Sequence, residues 1–288
     1  MKNLLFCFIS FSMSAQISGI VKDSLSGLPI PYANIWVEDE IIGTNSESDG
    51  TFYLDLKTEK NLIFSALGYE TKKVEISKTA EVLLVEKIFA LQEVVLTQSI
   101  GSKEIKIGDT KDRFYLPEYQ TIPWVLAKRI SLPEQYTEMK FLKKLIFHTN
   151  SEVEKGTFRI RFFSVNENGF PKDDLLTEPI IVAVKKGKSK TIFDVSHLKI
   201  EIPNEGIFVG FESLIVEDNL YEETSKNPLT KEIFIHKNYS PHILYYFENH
   251  EISFVLRNNK WVKQLNQSAP KDKKRKILTP AIETVLSN

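Results

Sequence analysis

Apolar and polar positions alternate in short runs along the first third of the chain. In Ala33-Asn34-Ile35-Trp36-Val37 the residues Ala33, Ile35 and Val37 occupy every second position, so they face one core and Trp36 is expected to face away from it. Thr51 to Leu56 repeats the pattern, with Phe52, Leu54 and Leu56 on one side and Thr51, Tyr53 and Asp55 on the other. Leu62 to Leu67 is almost continuously apolar. Val74 with Ile76, Val82 with Leu84 and Leu91 to Leu96 supply further strand cores. Asp23-Ser24-Leu25-Ser26-Gly27 and Ser46 to Gly50 read as turns, in which acids and serines bond the local backbone and glycine takes positive φ. Strands this short and closely spaced, with no helical period between them, predict a β-sandwich of about seven strands.

From Met139 the pattern is again β. Strands are predicted at Phe141 to Thr149, Thr157 to Val165, Ile180 to Lys185, Lys190 to Val195, Ile207 to Leu214, Ile233 to His236, Ile243 to Phe247 and Ile252 to Leu256. In the second of these, Phe158, Ile160 and Phe162 alternate with Arg159, Arg161 and Phe163, which predicts one buried and one partly wet face. The set predicts a second β-sandwich of jelly-roll type. Between the two, Asp109 to Arg129 is punctuated by Pro117 and Pro123 and reads as a linker and entry segment, with a short helix around Val125 to Arg129.

The N-terminus changes the picture. Lys2, the apolar stretch from Leu4 to Met13 and the small residues Ser14-Ala15 form a secretory leader, too short to span a bilayer. Cys7, the one cysteine, lies within it, so cleavage after Ala15 leaves no disulfide and no thiol. Lys2 is the leader's one charge, so its removal takes the formal net charge from -1 to -2 and gives no long-range attraction for nucleic acid. The resulting organisation is a leader at 1–15, a first sandwich at 16–97, a linker at 98–138, a second sandwich at 139–266 and a basic tail at 267–288 carrying Lys271 to Lys276.

Several motifs of the first sandwich carry a resemblance. Gly19-x-Val21-x-Asp23, the Pro-x-Pro-Tyr-Ala-Asn-Ile run from Pro29 to Ile35, Asp49-Gly50-x-Phe52 and Phe64-Ser65-x-x-Gly68-Tyr69 together resemble the carboxypeptidase-like regulatory domain. The resemblance implies a transthyretin-like, seven-stranded sandwich with an accessory role, of the kind that also precedes TonB-dependent outer-membrane transporters. It does not carry peptidase chemistry here. None of His148, His197, His236, His242 and His250 has a glutamate three residues on, as the zinc domain of those peptidases requires. The region 139–258 is similar to carbohydrate-binding-module-like jelly rolls, on the segments Gly156 to Arg161, Pro171 to Leu176 and Ile207 to Glu212.

Candidate contact residues are the aromatics Trp36, Tyr53, Trp124 and Trp261, with Tyr245 and Tyr246, because rings combine apolar area with polar edges. Their competing role is packing between domains or within a core. Glu212, beside Gly210, is the acid first considered for a glycosidase-type pair, against the alternative of a satisfied glutamate. Asn166 to Asp174 offers oxygen ligands for calcium but lacks the Asp-x-Asp-x-Asp-Gly spacing of a known loop, so a plain hairpin turn is the favoured reading. No phosphate-binding glycine loop or nucleophile elbow occurs. The expectation is an exported accessory protein of a Gram-negative cell envelope, with no catalytic residue, cofactor or metal, engaging a protein or glycan. The alternatives are a glycan-active hydrolase, active or inactive, whose acids assemble only in the fold, and a purely structural accessory domain.

Overall fold

The computed structural model describes residues 15–56, 60–87, 103–108, 110–116, 120–249, 252–257, 260–264, 266–267 and 276–288. The expected leader up to residue 14, the closing strand expected at Leu91 to Leu96 and the basic run Lys271 to Arg275 lie outside the described residues. The described chain is all β, without an α-helix.

In the first sandwich β1 (Ala15–Asp23), β4 (Thr51–Leu56) and β7 (Glu81–Leu84) form one sheet in the order β4-β1-β7. Facing it, β2 (Asn34–Val37), β3 (Gly43–Asn45), β5 (Leu62–Ser65) and β6 (Lys72–Val74) pair in the order β3-β2-β5-β6. The predicted alternation is realised: Ala33, Ile35, Val37, Phe52, Leu54, Leu56, Leu62, Phe64, Val82 and Leu84 form the core between the sheets. Gly19 has a steric reason, because a Cβ there would stand 2.0 Å from the Thr79 carbonyl oxygen and 2.9 Å from the Phe52 ring. Buried Ser46 fastens the Pro29 to Ile35 run, its Oγ accepting from Ala33 N at 2.8 Å and donating to Ile30 O at 2.8 Å.

The second sandwich has two larger sheets. One runs β14 (Gly187–Asp194), β10 (Phe141–Ser151), β24 (Ile282–Ser287), β8 (Glu104–Ile107), with β18 (His242–Ile243) on the end of β10. The other runs β12 (Pro171–Asp174), β11 (Gly156–Val165), β15 (Ile207–Ser213), β9 (Trp124–Ile130), β20 (Ser253–Arg257), β21 (Lys260–Lys263), with β13 (Ile180–Val184) also on β11. Two small sheets complete it, a hairpin of β16 (Leu220–Lys226) and β17 (Ile233–Tyr239), and the set β19 (Tyr245–Glu248), β23 (Lys276–Pro280), β22 (Asn266–Gln267). Phe147, Phe158, Phe162, Phe211, Leu145 and Leu286 lie in the core between the large sheets.

Three expectations are corrected here. Val125 to Arg129 is the strand β9 rather than a short helix, and β8 and β9 put sheet-forming residues inside the expected linker. The reason is that Trp124, Val125, Leu126 and Ala127 are all buried, so the strand has no wet face and no alternation to read. The expected tail contributes β23 and β24, with Ile277, Leu278, Ile282 and Leu286 buried and β24 between β10 and β8. The lysine cluster masked that apolar run. The supposed wet face of β11 is also dry, since Arg159 and Arg161 are both buried.

Candidate functional site

What covers the polar face of β11 is the first sandwich. Arg159 on β11 stands directly opposite Glu212 on β15, a cross-strand pair of opposite charge. Arg159 Nε donates to Glu212 Oε2 at 2.6 Å and Arg159 Nη2 to Oε1 at 2.8 Å. Two residues along, Arg161 Nη1 donates to Glu212 Oε2 at 2.9 Å, while its Nε and Nη2 form a second fork on Asp174 at 2.8 and 2.6 Å. Arg161 faces Gly210, where a Cβ would press to 3.2 Å on Arg161 Cβ and 2.9 Å on the Val125 side chain, so the missing side chain leaves room for this geometry.

The first sandwich closes the network from above. Asn34, in the Pro29 to Ile35 run, donates from Nδ2 to Glu212 Oε1 at 3.0 Å and accepts on Oδ1 from Asn45 Nδ2 at 2.9 Å. Asn45, opposite Asn34 across β2 and β3, accepts on Oδ1 from the backbone N–H of Ile215 at 2.8 Å. Glu47 Oε1 accepts from Glu217 N at 3.0 Å. A small pocket of about 130 Å³ remains beside the joint, walled by Trp36, Tyr69, Lys87, Trp124, Arg161 and Glu212. Gly68, at φ 85°, brings the chain against the Thr177 carbonyl, where a Cβ would lie 2.9 Å from the oxygen.

The electrostatics are those of a joint. Burial alone would push the Glu212 carboxyl up, but the Arg159 and Arg161 charges and the hydrogen bonds from Arg159 and Asn34 outweigh it and bring the pKa down to about 2. Glu212 receives four hydrogen bonds, matching the acceptor capacity of a carboxylate. Two arginines balance two acids. A carboxylate so saturated has no lone pair to offer a substrate proton, so Glu212 and Asp174 do not form a glycosidase-type acid and base.

A pH dependence follows. The Glu212 carboxyl, ordinarily near 4.5, holds its proton less tightly when folded, so its stabilisation is complete above that value and is lost as the pH falls towards about 2. Glu283 is depressed to about 2 against its own burial by Lys106, Thr110 and His148, and contributes in the same window. Burial pulls His242 down from 6.5 to about 4, so the unfolded chain gains its proton first and stability already declines between those values. Melting temperatures recorded from pH 8 to pH 2.5, in roughly half-unit steps, are expected to fall in two stages. A flat profile below pH 6 would contradict this.

The predicted contact residues separate. Trp36 does point away from the first core, as expected, but is 8% exposed: it lies over Gly43, where a Cβ would touch its ring at 2.8 Å, and lines the pocket it shares with Trp124, Arg161 and Glu212 of the second sandwich. Trp124 is 4% exposed within the second core. Trp261 is half-buried, edge-on to Phe163 at 5.0 Å. Tyr245 and Tyr246 are buried. Tyr53 alone of these is open, at 63% exposure, and lines a groove of about 400 Å³ with Ile41, Thr121, Ile122 and Tyr239. Packing between and within domains therefore accounts for both buried tryptophans. The Asn166 to Asp174 segment contains a hairpin turn in which Asn166 Oδ1 accepts from Asn168 N and Phe170 N, each at 2.9 Å. Sequence reasoning missed Arg159, Arg161, Asn34 and Asn45. The available signal was the pair of arginines spaced two apart in an otherwise apolar strand.

Comparison with known proteins agrees with the architecture of the first sandwich. Residues 17–96 match the model of the CarboxypepD_reg-like domain family. The chain is 31% identical over 100 residues to the TonB-dependent receptor SusC of Bacteroides thetaiotaomicron, a match covering 35% of this chain and 10% of the receptor. It is 25% identical over 118 residues to the TonB-dependent receptor P3 of Formosa agariphila, covering 38% of this chain and 12% of the receptor. The chain thus spans about a tenth of the length of the curated relatives it matches. Among solved structures it is similar to the clostridial cysteine protease Cwp84 after propeptide cleavage, at a TM-score of 0.42 and 12% identity, covering 86% of this chain and 51% of that chain.

Proposed function

We propose that this chain, whose first sandwich is a carboxypeptidase-like regulatory module, is an exported non-catalytic accessory protein of the cell envelope that engages a protein or glycan partner. The observation that supports it is the likeness of about a third of the chain to parts of two TonB-dependent receptors, proteins of the envelope. No helix among the described residues is long and apolar enough to cross a membrane. Since Trp36 and Trp124 are enclosed, the contact is assigned to the groove around Tyr53, where an exposed ring and Ile41 stand beside Asp55 and Tyr239. In this role Glu212 and its arginines hold the two sandwiches in fixed relation rather than meeting a ligand.

The test is capture from a solubilised envelope fraction, together with binding to an array of purified glycans, using the intact chain and its Tyr53→Ala variant. A protein or glycan held by the parent and lost from the variant is the expected result. Equal capture by both would refute the assignment of the groove. Tyr53 lies on an exposed position of β4, so its replacement leaves the core untouched.

A further inference from the structure

The hairpin of β16 and β17 is built differently from the rest of the molecule. Among the described residues its two strands pair only with each other, from Leu220 opposite Tyr239 to Lys226 opposite Ile233. Its second strand carries Ile233 at 67% exposure, Phe234 at 46% and Ile235 at 65%, and Leu229 at the turn is exposed as well. An outer strand presents a row of backbone N–H and C=O groups ready to template another strand, and proteins ordinarily blunt such edges with lysine, proline or a bulge. The outer strand β14 follows that rule, with Lys188 and Lys190 exposed at alternate positions. The first four residues of β17, Ile233 to His236, depart from it: they hold no lysine, proline or glycine, and the strand's one lysine, Lys237, follows them.

We infer that β17 is a self-association edge, on which two copies of this chain pair antiparallel about a two-fold axis through Phe234. A two-fold perpendicular to a sheet keeps each face on its own side, so pairing must join positions of equal parity. Centred on Phe234, it sets Phe234 against the partner's Phe234 and Ile233 against the partner's Ile235, with Glu232 facing the imidazole of the partner's His236; Lys231, just before the strand, then lies opposite the partner's Lys237 at the end of the seam. Centred one residue later, it would set Ile233 against the partner's Lys237, an apolar side chain against a charge. The hairpin as a whole carries no net charge, Glu222, Glu223 and Glu232 balancing Lys226, Lys231 and Lys237, so two copies are not repelled at long range. A lipid surface would favour a basic excess, which this hairpin lacks.

The register gives a specific test in the full chain carrying Cys7→Ser. Residues facing each other across an antiparallel pair have Cα atoms about 4.5–5.5 Å apart, within the range a disulfide bridges. Phe234→Cys is therefore expected to give a disulfide-linked dimer on mild oxidation, whereas Ile235→Cys, offset from its own copy, gives little. In sedimentation equilibrium the parent dimer fraction should rise with concentration and fall about tenfold in the Ile233→Lys, Ile235→Lys double variant, whose exposed sites leave the fold intact. A parent that stays monomeric at every concentration, with no Phe234→Cys crosslink, overturns the inference. So does a monomer that instead sediments with anionic lipid vesicles, which would make the hairpin a membrane contact.

Discussion

Replacing Glu212 with alanine is expected to lower the unfolding free energy by about 3–5 kcal/mol, the range for removing one partner of a buried ion pair. The loss arises mainly from what is left behind. Arg159 is 1% exposed, and both of its side-chain donors to Glu212 would lose their acceptor, while Arg161 would keep its fork on Asp174. Asn34 would lose its link to the second sandwich as well. Glu212→Gln retains the shape and an acceptor oxygen but removes the charge, so it should fall between the parent and alanine. Urea denaturation of the three proteins checks the ordering. A Glu212→Ala chain within about 1 kcal/mol of the parent would show that the arginines find water or other acceptors, contrary to the burial described.

Phe158→Ala is expected to cost a similar amount for an unrelated reason. Phe158 on β11 is fully buried, stacks on Phe211 of the same sheet at 4.6 Å between ring centres and meets Phe147 of the opposite sheet at 5.0 Å. Truncation removes the ring from the middle of the second core and leaves a cavity between two sheets that strand pairing holds apart, a change worth about 3–5 kcal/mol. The midpoint in urea should fall while the slope stays constant, because the native fold remains. A loss below about 1 kcal/mol would mean that the sheets close over the gap.

The parts legible in the sequence are those where one face of a strand is dry and the other wet. Thr51 to Leu56 is the clearest case, its Phe52, Leu54 and Leu56 buried and Tyr53 and Asp55 exposed in the expected places. Legibility fails where a second layer dries the other face. Trp124 to Ala127 is buried at every position, so periodicity has nothing to report, and Arg159 and Arg161 look like solvent-facing charges until the first sandwich covers them. Trp36 shows the same limit: alternation places it off its own core, but only the position of a distant segment, whose Trp124, Arg161 and Glu212 wall the same pocket, decides between solvent and burial. Glu212 was visible as a candidate and not as a joint, because its four donors come from residues 34, 159 and 161, which no local spacing connects.

The two sandwiches are locked together through Asn34 and Asn45. Differential scanning calorimetry of the parent and of the Asn34→Ala, Asn45→Ala double variant tests it directly. The parent should melt in one transition whose calorimetric and van't Hoff enthalpies agree, and the variant, lacking the side chains that reach Glu212 and Ile215, should resolve into two, one for each sandwich. Two separate transitions in the parent, unchanged in the variant, would mean that the sandwiches are not locked through these asparagines.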